Sequence, residues 1–67
     1  MYLTKFKIIL INDEAYTGTI WIGDNPVSSL DDLKIELENN EYISLVFEDG
    51  IEVLISSNSI LMAAIDV

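Results

Sequence analysis

The second half of the chain alternates between apolar and polar residues, as strands with one buried face do. Two such segments flank the polar residues 48–50. This spacing predicts a three-residue hairpin loop with Gly50 in the left-handed conformation. The loop sets a register in which apolar residues face each other: Phe47 with Ile51, Leu45 with Val53, and Ile43 with Ile55.

The first half predicts two further strands, at residues 2–11 and 16–23, both rich in β-branched and aromatic residues. Gly18 within the second of them indicates a bulge or bend. Pro26 ends the pattern because proline has no amide proton to donate to a sheet. With the two strands of the hairpin, four strands are predicted outside residues 29–40 and before the last apolar run of the chain.

Residues 29–40 fit two elements. As a helix, the segment has Ser29 as N-cap and leucines along one face. As a strand, it has Leu33, Ile35 and Leu37 alternating with charged residues. Ile35 would point away from the leucine face of a helix but joins the apolar face of a strand, which favours a turn at 28–31 followed by a strand.

The segment Ile55-Ser56-Ser57-Asn58-Ser59-Ile60 resembles the strand, 3₁₀ turn and strand corner of Src-homology-three domains, where the usual text is I-P-S-N-Y-V. It is also similar to the second motif of Sm-like proteins. Both families are small curled barrels. The resemblance, which covers roughly residues 42–65, implies an all-β fold, a small curled barrel of five or six strands. The length of 67 residues leaves room for a single domain, at 1–67. The alternative is an α+β fold with one helix at 29–39 inserted in an antiparallel sheet.

The known ligand sites of both families are missing. Ser56 and Ser57 stand where Sm-like proteins have the Arg-Gly pair that contacts RNA. The tyrosine-rich opening and the paired tryptophans of Src-homology-three domains are also absent, and Trp21 alone cannot form their groove. The resemblance therefore implies a scaffold without an inherited ligand.

The charge narrows the class of partner. The 67 residues carry twelve carboxylates and three lysines, without arginine, for a net charge of −9. Nucleic-acid binding requires cations that displace phosphate counterions, so no direct nucleic-acid partner is expected. A protein with a basic surface is a better match for the negative electrostatic field of this chain, although many small proteins are acidic only for solubility.

Composition also limits the chemistry. The chain has no Cys and no His, which excludes disulfides and the usual general base near neutral pH. The other common general base, a carboxylate in a cleft, is not expected because nearly all twelve carboxylates fall in turns or on polar strand positions. Asp24, Asn25, Asp31 and Asp32 flank one loop but do not follow a calcium-binding spacing. We expect no enzyme activity, cofactor or metal. The apolar run at 8–11 is too short for an export signal or a membrane span, so a cytoplasmic protein is expected.

Two sets of residues are candidates for binding. The first is a set of carboxylates that could form one surface at the hairpin ends of the sheet, as in the acidic inhibitors that phages direct against host nucleic-acid enzymes: Glu36, Glu38, Glu41, Glu48, Asp49 and Glu52. The second is an apolar set in the last strand, which would join a homo-oligomer: Ile60, Leu61, Met62 and Ile65. The predicted function is a non-enzymatic module that regulates or inhibits a basic or nucleic-acid-binding protein. The alternative is a structural homo-oligomer.

Overall fold

The computed structural model describes residues 3–66, which form six strands, one α-helix and one 3₁₀ turn. The predicted first strand began at residue 2, which lies outside the described residues. The elements in chain order are β1 (Lys5–Leu10), β2 (Ala15–Ile22), β3 (Asn25–Pro26), α1 (Leu30–Asn39), β4 (Tyr42–Val46), β5 (Glu52–Ser56), the 3₁₀ turn (Ser57–Ser59) and β6 (Ile60–Ile65).

The six strands form one antiparallel sheet in the order β5-β4-β2-β1-β6, with the two-residue β3 paired to β2. Among the described residues no ladder joins β5 to β6, so the sheet is open and the predicted closed barrel is wrong. Val27 and Leu33, from outside the long strands, are buried with the sheet residues. They cover the core without requiring that the sheet close on itself.

The core is built from alternate positions of the strands. Residues of one parity on β1, β2, β4 and β5 point to the same side of the curled sheet, where they pack together. The buried side chains are Phe6, Ile8, Ile20, Val27, Leu33, Ile43, Leu45 and Ile55. Among the described residues, no polar or charged residue is buried, so the interior is held by apolar packing.

The hairpin prediction is confirmed. Ile43 lies opposite Ile55, and Leu45 lies opposite Val53. The amide of Phe47 donates to the carbonyl of Ile51 at 2.9 Å. Gly50 has a φ of 87°, in the left-handed region that glycine adopts without steric cost. Alternation and the glycine position were sufficient to determine this register.

The predicted strand within 29–40 is wrong, and the alternative helix is present. The Ser29 hydroxyl accepts a hydrogen bond from the amide of Asp32 at 3.1 Å, and Asp31 and Asp32 both lie in the first turn. This cap and the favourable position of acids at a helix N-terminus stabilise α1. Leu33 is buried, whereas Ile35, the residue that favoured a strand, is 52% exposed. One exposed isoleucine did not outweigh the cap.

Gly18 has a different role from the predicted bulge. The β1–β2 ladder continues regularly through Gly18, which lies opposite Phe6. A Cβ atom at this position would collide with the carbonyl oxygen of Val46 and lie 3.0 Å from its carbonyl carbon. Glycine therefore allows the backbones of β2 and β4 to approach closely.

The corner predicted from the segment at 55–60 is also present. A 3₁₀ turn, Ser57–Ser59, connects β5 to β6. The Ser57 hydroxyl donates to the carbonyl of Asn40 at 2.6 Å, and the Ser59 hydroxyl donates to the carbonyl of Ser56 at 2.7 Å. The serines bind the backbone of the corner and attach it to the end of α1.

Candidate interaction surfaces

The carboxylates are on the surface. All twelve lie within the described residues; eleven are exposed and Glu36 is partly exposed. Within residues 3–66 one ion pair is formed, between Lys5 and Glu48. Most of the negative charge is therefore free to act on solvent or on a partner.

The six predicted carboxylates do not form a single surface. Glu48, Asp49 and Glu52 lie at the β4–β5 hairpin, as expected, and we call them the hairpin group. The other three lie at the opposite end of β4, on or just after α1. A strand rises about 3.4 Å per residue, so residues 41 and 48 lie roughly 20 Å apart. The structure does not bring the six together, because β4 separates Glu41 from Glu48 and because Glu36 and Glu38 lie on α1.

Two of the three carboxylates in the hairpin group already have hydrogen-bond partners within the protein. The Glu48 carboxylate accepts a hydrogen bond from the Lys5 ammonium. This bond, and then the charge of Lys5, holds the pKa of Glu48 below its ordinary value. The same bond, and then the charge of Glu48, raises the pKa of Lys5. The Asp49 carboxylate accepts a bond from the amide of Ile51 at 3.0 Å, within the turn. Glu52 remains without such a contact among the described residues.

The three carboxylates at the end of α1 are less committed, and we call Glu36, Glu38 and Glu41 the helix group. Among the described residues, none of their side chains takes part in a hydrogen bond or ion pair. The Asn40 side chain instead binds the Glu36 backbone carbonyl, at 2.9 Å. The helix group is therefore the better candidate for contact with a basic partner.

A third acidic site lies beside the hairpin group. The Tyr16 hydroxyl donates to the Glu14 carboxylate, and this bond, followed by the charge of Glu14, raises the pKa of Tyr16. The ring of Tyr16 lies 5.8 Å from that of Phe47. Sequence reasoning missed this contact because the two aromatic residues belong to different hairpins.

The last strand is an edge of the sheet, and its exposed side chains are apolar. Within residues 3–66, β6 pairs with β1 alone, and Leu61 and Met62 are 64% and 55% exposed. Ile65 is also exposed, whereas Ile60 packs partly against the core. The structure thus places three of the four predicted contact residues on the surface, and it adds Ala63 and Ala64 to the same edge.

The other edge differs in charge. β5 begins at Glu52, next to the acidic hairpin, and its exposed Leu54 pairs across the sheet with Ser44. Charged residues on an edge strand discourage pairing with another chain. β6 contains no ionisable side chain and so lacks this protection, whereas on β5 the protection comes from Glu52 and the preceding turn, since residues 53–56 are uncharged too.

Two shallow grooves accompany these surfaces. One, of about 250 Å³, lies between α1 and β3 and partly shelters Ile35 beside Val27. The other, of about 200 Å³, lies beside β5 and is lined by Leu10, Tyr16 and Val53 among others. The second groove marks the place where the sheet fails to close.

Comparison of the sequence with protein-family models, with curated proteins and with solved structures found no match. In the part of the chain that the structure describes, no helix has the length and apolar character needed to cross a membrane. Over the same residues, no three acidic side chains are grouped so as to hold a metal ion. The function is therefore inferred from the fold and its surfaces.

Proposed function

We propose that this protein is a non-enzymatic interaction module that binds the basic surface of another protein and regulates or inhibits it. The observation that supports this function is the display of nearly all the negative charge on the surface, with a single ion pair among residues 3–66. A field of this kind steers cationic surfaces toward the protein and accelerates their association. A basic patch that normally binds nucleic acid is the class of partner with the required charge.

The helix group is the part of the acidic surface that we assign to the partner. Glu36, Glu38 and Glu41 lie at one end of α1 and β4, and their side chains have no other contacts among the described residues. The hairpin group is less suited because Lys5 already neutralises part of its charge. The proposal thus predicts an unequal contribution from two groups of three carboxylates each.

The experiment is a pull-down with the tagged protein from the lysate of its source cell, at low and at high salt, followed by mass spectrometry. A partner held by carboxylates is retained at low salt and released at high salt, because salt screens exposed charges. Replacing the helix group with Gln removes three charges and should abolish retention. The matched control replaces Glu48 and Glu52 with Gln and Asp49 with Asn, and should retain the partner.

Equal retention by both triple variants would contradict the assignment of the helix group. Failure of the unmodified protein to retain any basic protein at low salt would contradict the proposed function, and the charge would then serve solubility. Circular dichroism of both variants should match that of the unmodified protein, because the replaced side chains are at the surface.

The second candidate function is a structural homo-oligomer assembled through β6. It is supported by the uncharged edge and by the exposure of Leu61, Met62 and Ile65. A domain of this size hides only about 60% of the surface of its unfolded chain, so a subunit contact would add useful stability. Sedimentation at increasing protein concentration tests it, since a mass that stays monomeric would remove this candidate.

A further inference from the structure

We propose that β6 pairs antiparallel with β6 of a second copy of this chain, across a twofold axis at Ala63. This inference rests on the second candidate function and specifies its partner, symmetry and register. It is independent of the partner assigned to the helix group.

The backbone of β6 has an inward and an outward set of hydrogen-bonding groups. The amide of Asp66 donates to the carbonyl of Lys5 at 2.9 Å, so Asp66 faces β1. Hydrogen-bonded and non-bonded positions alternate along an antiparallel pair. Ala64 and Met62 therefore also face β1, whereas Ala63 and Ile65 direct their amides and carbonyls to the open edge. A second strand would satisfy these unpaired groups.

The side chains select the register. An axis at Ala63 places Ala63 opposite its own copy and brings Ile65 close to Leu61 of the second copy, the residue at which the β1–β6 register shifts. Met62 then lies opposite Ala64. The exposed large side chains of β6 are all covered, and the small side chain at the axis permits close approach. An axis at Ala64 would also pair the outward groups of Ala63 and Ile65, but it would place the charged Asp66 opposite Met62, which is 55% exposed.

Charge indicates a second copy at this edge rather than elsewhere on the surface. Two molecules of net charge −9 repel each other wherever carboxylates are brought together. The proposed register places each Asp66 opposite Ile60, and residues 53–65 contribute no charge. Pairing through β5 would instead bring Glu52 and the hairpin group toward the neighbour. The β6 edge is thus the part of the sheet where self-association encounters the least repulsion.

The test uses the absence of cysteine from the chain, which makes any introduced thiol unique. In hydrogen-bonded antiparallel pairs the Cα atoms are about 5.5 Å apart, within the range that a disulfide spans. Ala63→Cys should therefore form a disulfide-linked dimer rapidly on mild oxidation. In Ala64→Cys, the matched control, the two Cα atoms lie about 8 Å apart, given the strand rise and spacing, and linkage should be at least tenfold slower.

The native mass completes the test. Sedimentation of the unmodified protein should give a dimer whose population rises with concentration, and Ala63→Cys should link within that population. Faster linkage through Ala64 would overturn the register, and an assembly larger than a dimer would overturn the twofold symmetry, while both would leave the homo-oligomer candidate standing. If the protein stayed monomeric at all concentrations, both the proposed β6 pairing and the homo-oligomer candidate would be wrong. None of these outcomes bears on salt-dependent binding through the helix group.

Discussion

The two edges of the sheet show how the same architecture can be protected or left open. β5 begins at Glu52 and follows an acidic turn, whereas no residue of β6 (Ile60–Ile65) carries a charge. Each edge exposes a leucine to a similar extent: Leu54 is 67% and Leu61 is 64% exposed. The difference therefore lies in the charge around the leucine and not in its exposure. Glu52 lies within β5, whereas the carboxylate nearest to β6 along the chain is Asp66, just after the strand ends.

The edge strand β5 is joined to the rest of the sheet through β4, and the contact of β4 with β2 can be weakened at Gly18. Because the obstructing atoms belong to the backbone of Val46, Gly18→Ala must separate β2 from β4, and overpacking of this kind costs about 3 kcal/mol. Urea unfolding should report this loss. As a control, Gly50→Asn should cost less than about 1 kcal/mol, since asparagine tolerates the left-handed conformation. Equal losses in the two variants would contradict the close approach of the strands.

The difference between the edges can be tested with a charge on each leucine. Leu61→Lys should weaken the proposed dimer about a hundredfold, which is about 2.7 kcal/mol, because two lysines replace two buried leucines at a twofold interface. Leu54→Lys adds the same charge to an equally exposed site on β5 and should leave the dimer intact. Sedimentation of both variants measures the effect. If both weakened association equally, the change in net charge would be the cause and the edge assignment would fail.

The helix that packs beside β6 and the 3₁₀ turn can be weakened at its cap. Ser29→Ala removes the acceptor of the Asp32 amide and should cost about 1 kcal/mol in the free energy of unfolding. Ser28→Ala removes an exposed side-chain contact to Asp32 and should cost less. Thermal unfolding of the two variants distinguishes them. A larger loss in Ser28→Ala would show that the cap is not the main stabilising contact at this end.

The smallest effect on stability is expected from the ion pair between Lys5 and Glu48, which links β1 to the β4–β5 hairpin. Lys5 lowers the pKa of Glu48, so the pair adds stability above the ordinary glutamate pKa, and this contribution is lost as pH falls through the lowered value. Glu48→Gln should flatten the acid limb of the stability profile slightly. Glu38→Gln, which removes a carboxylate without an ion-pair partner among the described residues, should not flatten it to the same degree. Identical profiles for both variants would show that the pair is negligible.

The sequence predicted best those elements that depend on local patterns. The register of Ile43 and Ile55 followed from alternation on either side of Gly50, and the corner at 57–59 followed from its serines. The predicted strand at 29–40 was wrong because Leu33 and Leu37 fit both the helical and the strand periodicity. The sequence does not show that Ile35 is exposed. The Ser29 cap was visible in the sequence and deserved more weight than one isoleucine.

The sheet and the acidic surface required information that is not local. Closure of a sheet depends on whether its first and last strands meet in space, and no pattern within β5 or β6 encodes this. The six carboxylates are divided for two reasons: β4 separates Glu41 from Glu48, and Glu36 and Glu38 lie on a helix rather than on the predicted strand. The uncharged edge, in contrast, was readable directly from residues 60–65.

Hydrogen exchange of individual amides, measured by NMR at low and high protein concentration, tests most directly the claim that the two edges differ. The account predicts that the outward amides of Ala63 and Ile65 become more protected as concentration rises. The outward amide of Leu54 on β5 should exchange at the same rate throughout. Protection that does not change at β6, or that rises with concentration at β5 instead, would contradict the claim.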